Sequence, residues 1–261
     1  MTPASLSIFA SRLDAVCEEM GLVLRNAAFS PNIRDRLDFS CAVFDASGQL
    51  CAQAAHIPVH LGSMAFAMRD IVRRLDWQPG DQVILNDPFL GGTHLPDVTL
   101  IAPVFVGEEL VGFVANRAHH ADIGASSPGS MPVSRTLEEE GLVIPPGHLL
   151  RHGELVTQRL GSITAATANP LQMEGDLAAQ ISANRAGVAR LRELVEATGQ
   201  EAYLAGLDEL LGGAGDRSAQ AEGRFAVLFL TVSNRASAPQ NVHASILYIE
   251  DGQGFQHHND N

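Results

Sequence analysis

The sequence predicts an α+β protein, a mixed sheet flanked by helices, and three observations predict it. Apolar residues recur at helical steps near the start (Phe9, Leu13, Val16, Met20) and again late in the chain (Leu177, Ile181, Val188, Leu191, Leu194). Between those stretches lie two strand-turn-strand patterns, one around Asp45-Ala46-Ser47-Gly48 and one around Gly107-Glu108-Glu109. With 261 residues, 46% hydrophobic and 18% charged, the chain is long enough to bury a sizeable core.

In chain order, Thr2-Pro3 supplies a cap and a first helical residue, and Gly21 is read as an end or an interruption of that helix. Ser30-Pro31 closes the segment. Asp38–Phe44 and Gln49–Ala54 form the first hairpin, with Asp38 at the strand's mouth after the charged run Arg34-Asp35-Arg36. On pattern alone Asp38 reads as a solvated loop carboxylate. Next comes His56-Ile57-Pro58-Val59-His60, where Pro58 disfavours one continuous helix carrying both histidines, although one of them can cap or line a site. A helix with Leu61, Met64, Met68, Ile71 and Leu75 on one face follows and ends before Pro79-Gly80. Residues 82–86 form a short apolar strand.

Asn86 to Met131 is the stretch around which the chain is organised. Strands 98–105 and 110–117 form a hairpin, so the start of the first lies beside the end of the second. The entry loop carries His94 and Asp97, and the exit loop carries His119, His120 and Asp122. Imidazole nitrogens and carboxylate oxygens gathered this way suit a divalent metal (zinc, manganese or iron). The plain alternative is a hydrogen-bonded loop cluster holding no ion. Past Met131 the chain is rich in turn formers. Of Glu138, Glu139 and Glu140, only Glu140, beside Gly141, has a claim to more than a solvated face. A long helix starts at Asn169-Pro170, and a further one spans about 201–211 and ends at Gly212-Gly213. Strands are expected at 225–232 and 244–249.

Other chemistries fit poorly. A net charge of −13 argues against nucleic acid or an anionic membrane surface as partner. No apolar run is long enough to span a bilayer. The Gly91-Gly92-Thr93 loop opens no phosphate-binding helix pattern, so ATP chemistry would have to come from another chain. No serine sits in a nucleophile elbow. Cys17, Cys41 and Cys51 lack paired spacing and read as free thiols in a reducing cytoplasm.

The blocks RDRLDFSCAVFDASGQL, AAHIPVHLGSM, GDQVILNDPFLGGTHLPDVTLIAPVF, ANRAHHADIGASSPGSMP, EEEGLVIPP and NPLQMEGDLAAQISANRAG resemble the hydantoinase B family. That family includes the B-type component of N-methylhydantoinase, the C-terminal part of 5-oxoprolinase, caprolactamase, and the corresponding components of acetone and acetophenone carboxylases. NDPFLGGTHLPD followed by AHHADIG carries the resemblance most specifically. The resemblance implies metal ligands Asp38, His94, Asp97 and His119, with His120 and Asp122 as supporting or catalytic residues. It implies a hydantoinase A-type partner that binds ATP and activates the substrate, hence a hetero-oligomer. The reaction implied is opening of a small cyclic amide or imide, and the same architecture serves ketone carboxylation. The likeness covers residues 3 to about 212, so the sequence divides into a family-like region, 1–213, and a divergent tail, 214–261. Family members continue into a large β-rich region, and the tail reads as a truncated or frame-shifted end. A catalytically silent chain that only binds its partner therefore stays open.

Overall fold

A computed structural model describes residues 2–55, 60–90, 92–125, 127–128 and 134–212, together with 249–250 and 256–257. Contacts divide the chain into a unit of residues 1–213 and a second of 214–261. The first unit begins with helix α1 (Pro3–Ala27), capped by the Thr2 hydroxyl, which accepts from the Ser5 N–H. Gly21 does not break it. That glycine is buried in the apolar stripe, where a missing side chain helps packing rather than ending the helix. A short turn, α2 (Pro31–Arg34), precedes strands β1 (Phe39–Phe44) and β2 (Leu50–Ala55). Helix α3 (His60–Arg74) leads to β3 (Gln82–Leu85), and the central hairpin is β4 (Asp97–Val106) with β5 (Glu109–His119). Then come α4 (Leu137–Glu140), β6 (Gly147–Arg151), β7 (Glu154–Leu155), α5 (Thr157–Thr164), α6 (Pro170–Thr198) and α7 (Gln200–Leu210).

The seven strands form one sheet in the order β2-β1-β5-β4-β3-β6-β7. Every pairing is antiparallel, which corrects the expectation of a mixed sheet. Parallel neighbours need a crossover that returns the chain to the same end. Here tight turns reverse it at 45–49 and 107–108, and the 86–96 loop reverses it between β3 and β4.

Strand alternation splits the core between the two faces. Cys41, Val43, Ala102, Val104, Val114 and Ala118 pack with α1, α6 and α7, where Phe9 meets Tyr203 edge to face at 5.7 Å. Ala42, Phe44, Ile101, Phe113 and Ala115 pack with Met64, Met68 and Ile71 of α3 and with Trp77, whose ring lies 5.0 Å from Phe113. Each fully buried side chain of this size stabilises the fold by about 1.5–3 kcal/mol. The helices α1 and α6 approach closely at Gly187, where a Cβ would strike the Met20 thioether. A third apolar cluster, including Ile84, Leu100, Ile144, Leu149, Ile163 and Met173, closes the end of the sheet that carries β6 and α5.

In the second unit, β8 (Ile249–Glu250) pairs antiparallel with β9 (Gln256–His257). The strand expected at 225–232 lies outside the described residues, as does all of 244–249 except Ile249.

Candidate metal centre

Two braces hold the loop that delivers His94. The buried Asn86 amide donates to Leu95 O (2.7 Å) and Leu142 O (2.9 Å) and accepts from the Ile144 N–H (2.6 Å). Glu140 Oε1 accepts from the Leu95 N–H at 3.0 Å, so that carboxylate secures the loop. Gly92 is required by space, because a Cβ there would strike the carbonyl oxygens of Asn86 and Asp87.

Asp97 is the first residue of β4 and the register partner of His119, the last residue of β5. The His119 N–H donates to Asp38 O at 2.9 Å, fixing the mouth of β1 beside both. Leu37, just before Asp38, takes a left-handed φ of 57°, an uncommon conformation for a bulky residue. The hairpin thus gathers side chains from three separate segments, as its strand directions demand.

Asp97 Oδ1 lies 3.1 Å from His119 Nδ1 and 3.4 Å from His94 Nε2, and those two nitrogens are 3.2 Å apart. Asp38 Oδ2 stands 3.9 Å from His119 Nδ1. On its other side, Asp97 Oδ2 accepts from the Thr93 hydroxyl and faces His60 Nε2 at 3.4 Å. His60 Nδ1 in turn meets Ser40 Oγ at 3.0 Å. Asp97 is 2% exposed, His94 35% and Asp38 28%, so the cluster is closed behind Asp97 and open on the His94 and Asp38 side.

Burial pushes the Asp97 carboxyl up, but hydrogen bonds from His119, His60 and Thr93, with the nearby His94, outweigh it. They hold the group well below the usual carboxylate range. Asp97 is therefore an ionised, acceptor-only group at neutral pH. Arg117, fully buried two residues before His119, donates from Nε to Thr99 Oγ1 at 2.8 Å and from a guanidinium nitrogen to Ser63 Oγ. Burial lowers its pKa to about 10, with Asp97 opposing, so it remains a cation beside the cluster.

One ligand atom each from His94, Asp97 and His119 lies within 4.8 Å of the others, and Asp38 adds a second carboxylate alongside. The arrangement fits a divalent cation on its chemistry. Two imidazoles and two carboxylates form the mixed nitrogen-oxygen set that zinc, manganese and iron(II) accept. His60 and Thr93, set against the far oxygen of Asp97, fix that carboxylate in the way outer partners would fix one bound to a metal.

The other two sequence candidates are elsewhere. Alternation sends His120 to the face opposite His119, where its Nε2 meets Gln180 Oε1 of α6 at 2.9 Å. Burial lowers its pKa, keeping the ring neutral. Asp122 accepts from the backbone N–H groups of Gly124 (2.8 Å), Ala168 (2.6 Å) and Asn169 (3.3 Å), tying the exit loop to the start of α6. Neither side chain bonds a member of the cluster. Sequence reasoning passed over Thr93 and Ser40, which carry no pattern. It flagged His60 only as one of a spaced pair, whose other member, His56, lies outside the described residues.

Fold and site together define a helix-covered antiparallel sheet with a histidine-carboxylate cluster at the mouths of its central strands. The profile described as Hydantoinase B/oxoprolinase matches residues 2–222, and the chain belongs to that family. It is 44% identical over 205 residues to an uncharacterized protein of Methanocaldococcus jannaschii, covering 76% of this chain and 36% of that one. It is 36% identical over 259 residues to 5-oxoprolinase of Dictyostelium discoideum, covering 98% of this chain and 20% of the relative. Among solved structures, the ATP-dependent caprolactamase from Pseudomonas jessenii is similar with a TM-score of 0.73 and 30% identity, over 80% of this chain and 37% of that one. The chain thus spans well under half the length of these relatives.

Proposed function

We propose that this chain is the metal-bearing, B-type region of an ATP-dependent enzyme that opens a small cyclic amide or imide such as a hydantoin or 5-oxoproline. The observation that carries the reading is the convergence of His94, Asp97 and His119, with Asp38 alongside, at one half-open spot. The likeness to a 5-oxoprolinase and to an ATP-dependent caprolactamase supports the substrate class. When bound, a zinc, manganese or iron(II) ion would polarise the substrate carbonyl or lower the pKa of a bound water.

The chain's own residues do the rest. Asp97 brings the cluster a carboxylate held on both oxygens, while His94 and Asp38 stand on the exposed side where substrate arrives. Arg117, fully buried and bonded to Thr99 and Ser63, contributes fixed positive charge that favours the ionised Asp97. Asp122 holds the exit loop against α6, and His120 anchors the strand end on the opposite face. ATP is bound by a hydantoinase A-type partner, which activates an otherwise poor electrophile. No described helix is long and apolar enough to cross a membrane, and the three free thiols accord with a reducing compartment such as the cytoplasm.

The first test is metal content of the purified chain beside a His94→Ala, Asp97→Ala double variant. Near-stoichiometric metal in the parent, lost in the variant, is expected. A folded parent that takes up no zinc, manganese or iron would overturn the reading and favour a silent, partner-binding chain. With an A-type partner and ATP, cyclic-amide opening is expected. Bicarbonate-dependent ketone carboxylation instead would reassign the substrate.

A further inference from the structure

One side chain on α6 touches the residue next to each of two cluster members. Gln180 Nε2 donates to Val98 O at 2.9 Å, and Val98 follows Asp97. Its Oε1 meets His120 Nε2 at 2.9 Å, and His120 follows His119. Its second N–H goes to Asn116 Oδ1 at 2.8 Å. Gln180, Asn116 and His120 are all buried to within 1% of full burial.

The direction of every bond is forced. Val98 O is a main-chain carbonyl and only accepts, so the nitrogen of the Gln180 amide must face it. The Asn116 amide is fixed in the same way, because its nitrogen donates to Gln180 O at 2.9 Å. With both Gln180 hydrogens committed, Oε1 is left facing His120, which must therefore carry its proton on Nε2. The amide has no alternative orientation that keeps these bonds. It spans β4 and β5 on the face opposite the cluster, at the level where Asp97 and His119 stand as register partners.

We infer that Gln180 is a positioning residue for the metal site, setting the separation of Asp97 and His119 from behind the sheet. The inference rests on the proposed metal site. Its logic is that a ligand pair is only as well placed as the strands that carry it, and this one amide ties both strands one residue from their ligands. Asn184, one turn further along α6, supplies the comparison. It accepts from the Asn116 Nδ2 at 2.8 Å and donates to Gln82 Oε1 at 3.3 Å, so it is equally buried and polar but touches neither ligand's neighbour.

The experiment measures cobalt(II) binding by its visible absorption, and zinc by competition, in the parent, Gln180→Leu, Gln180→Glu and Asn184→Leu. Urea unfolding of each metal-free protein is recorded in parallel. Gln180→Leu and Gln180→Glu are expected to weaken metal binding by about 10–100-fold and to alter the cobalt spectrum. Gln180→Glu keeps the side chain's volume and guards against loss of the fold in Gln180→Leu. Asn184→Leu is expected to lose stability while keeping the parent's spectrum and affinity. If the Gln180 variants bind metal like the parent, or if Asn184→Leu changes the spectrum as much as they do, the positioning role is overturned. A parent that binds neither metal would instead overturn the site itself, which is a separate result.

Discussion

Asp97 and His119 face each other across the β4–β5 ladder, and their side chains meet at 3.1 Å, so one backbone pairing sets one contact of the histidine-carboxylate cluster. Asp97→Asn keeps the shape but removes the charge on which Thr93 and three imidazoles converge. Metal uptake is expected to be lost. The metal-free protein should also lose about 1–3 kcal/mol, because charge-assisted bonds are replaced by neutral ones. Metal analysis and urea unfolding of the same preparations check both parts.

Gly92→Ala should disturb the cluster without touching His94, Asp97 or His119. The added methyl group meets the carbonyl oxygens of Asn86 and Asp87, which cannot yield without moving the Thr93 and His94 loop. Overpacking of this kind costs about 1–3 kcal/mol. A lower melting temperature together with weaker metal binding is expected. Unchanged binding would mean that the loop moves independently of His94.

Asp122→Ala removes the acceptor of three backbone N–H groups, those of Gly124, Ala168 and Asn169. Leaving partly buried donors unpaired costs about 1–3 kcal/mol. The expected signature is faster amide exchange at 122–125 and 166–170, read by hydrogen-deuterium exchange. Exchange in β1 should stay as in the parent.

The thiols predict an alkaline limit. Burial foremost pushes Cys17 and Cys51 up to about 12, and raises Cys41 well above its usual range. A raised folded-state pKa gives stability that is complete below the unfolded value of about 9 and is lost as pH climbs towards 12. For the fully buried Cys17 the loss is about 1 kcal/mol by pH 10. Urea midpoints should fall between pH 8 and pH 10, less so in Cys17→Ala. At pH 8 the buried Cys17 and Cys41 should react with a disulfide reagent only after denaturant is added, whereas the half-buried Cys51 should react first.

The central hairpin was legible because Gly107-Glu108-Glu109 interrupts two apolar runs, and the observed strands extend the expected ones by one or two residues. Helix α6 was legible from its apolar repeat, although Gly175 and Gly187 weaken the pattern. The strands β6 and β7 and helix α5 escaped notice, since short elements with polar residues such as His148 and Glu154 have no clear period. At the site, spacing alone could bring His94, Asp97 and His119 near one another. It could not recruit Gln180, whose link to His120 spans 60 residues and depends on how α6 crosses the sheet. Nor could it separate His119 from His120, because an expected strand end at 117 left both in a loop. The extension of β5 to 119 is what divides them between faces.

The pairing of β1 with β5 has a thermodynamic consequence. Asp38 is brought to His119 by a ladder between strands far apart in sequence, and His94 comes from a third segment. No stretch of the unfolded chain holds this ligand set, so a cation that prefers it binds the native state almost exclusively. Free metal at 100 times its dissociation constant would then add about 2.7 kcal/mol to the folding equilibrium. Ambient metal supply would thereby set how long the chain survives proteolysis, and a chelator would act on it as a mild denaturant.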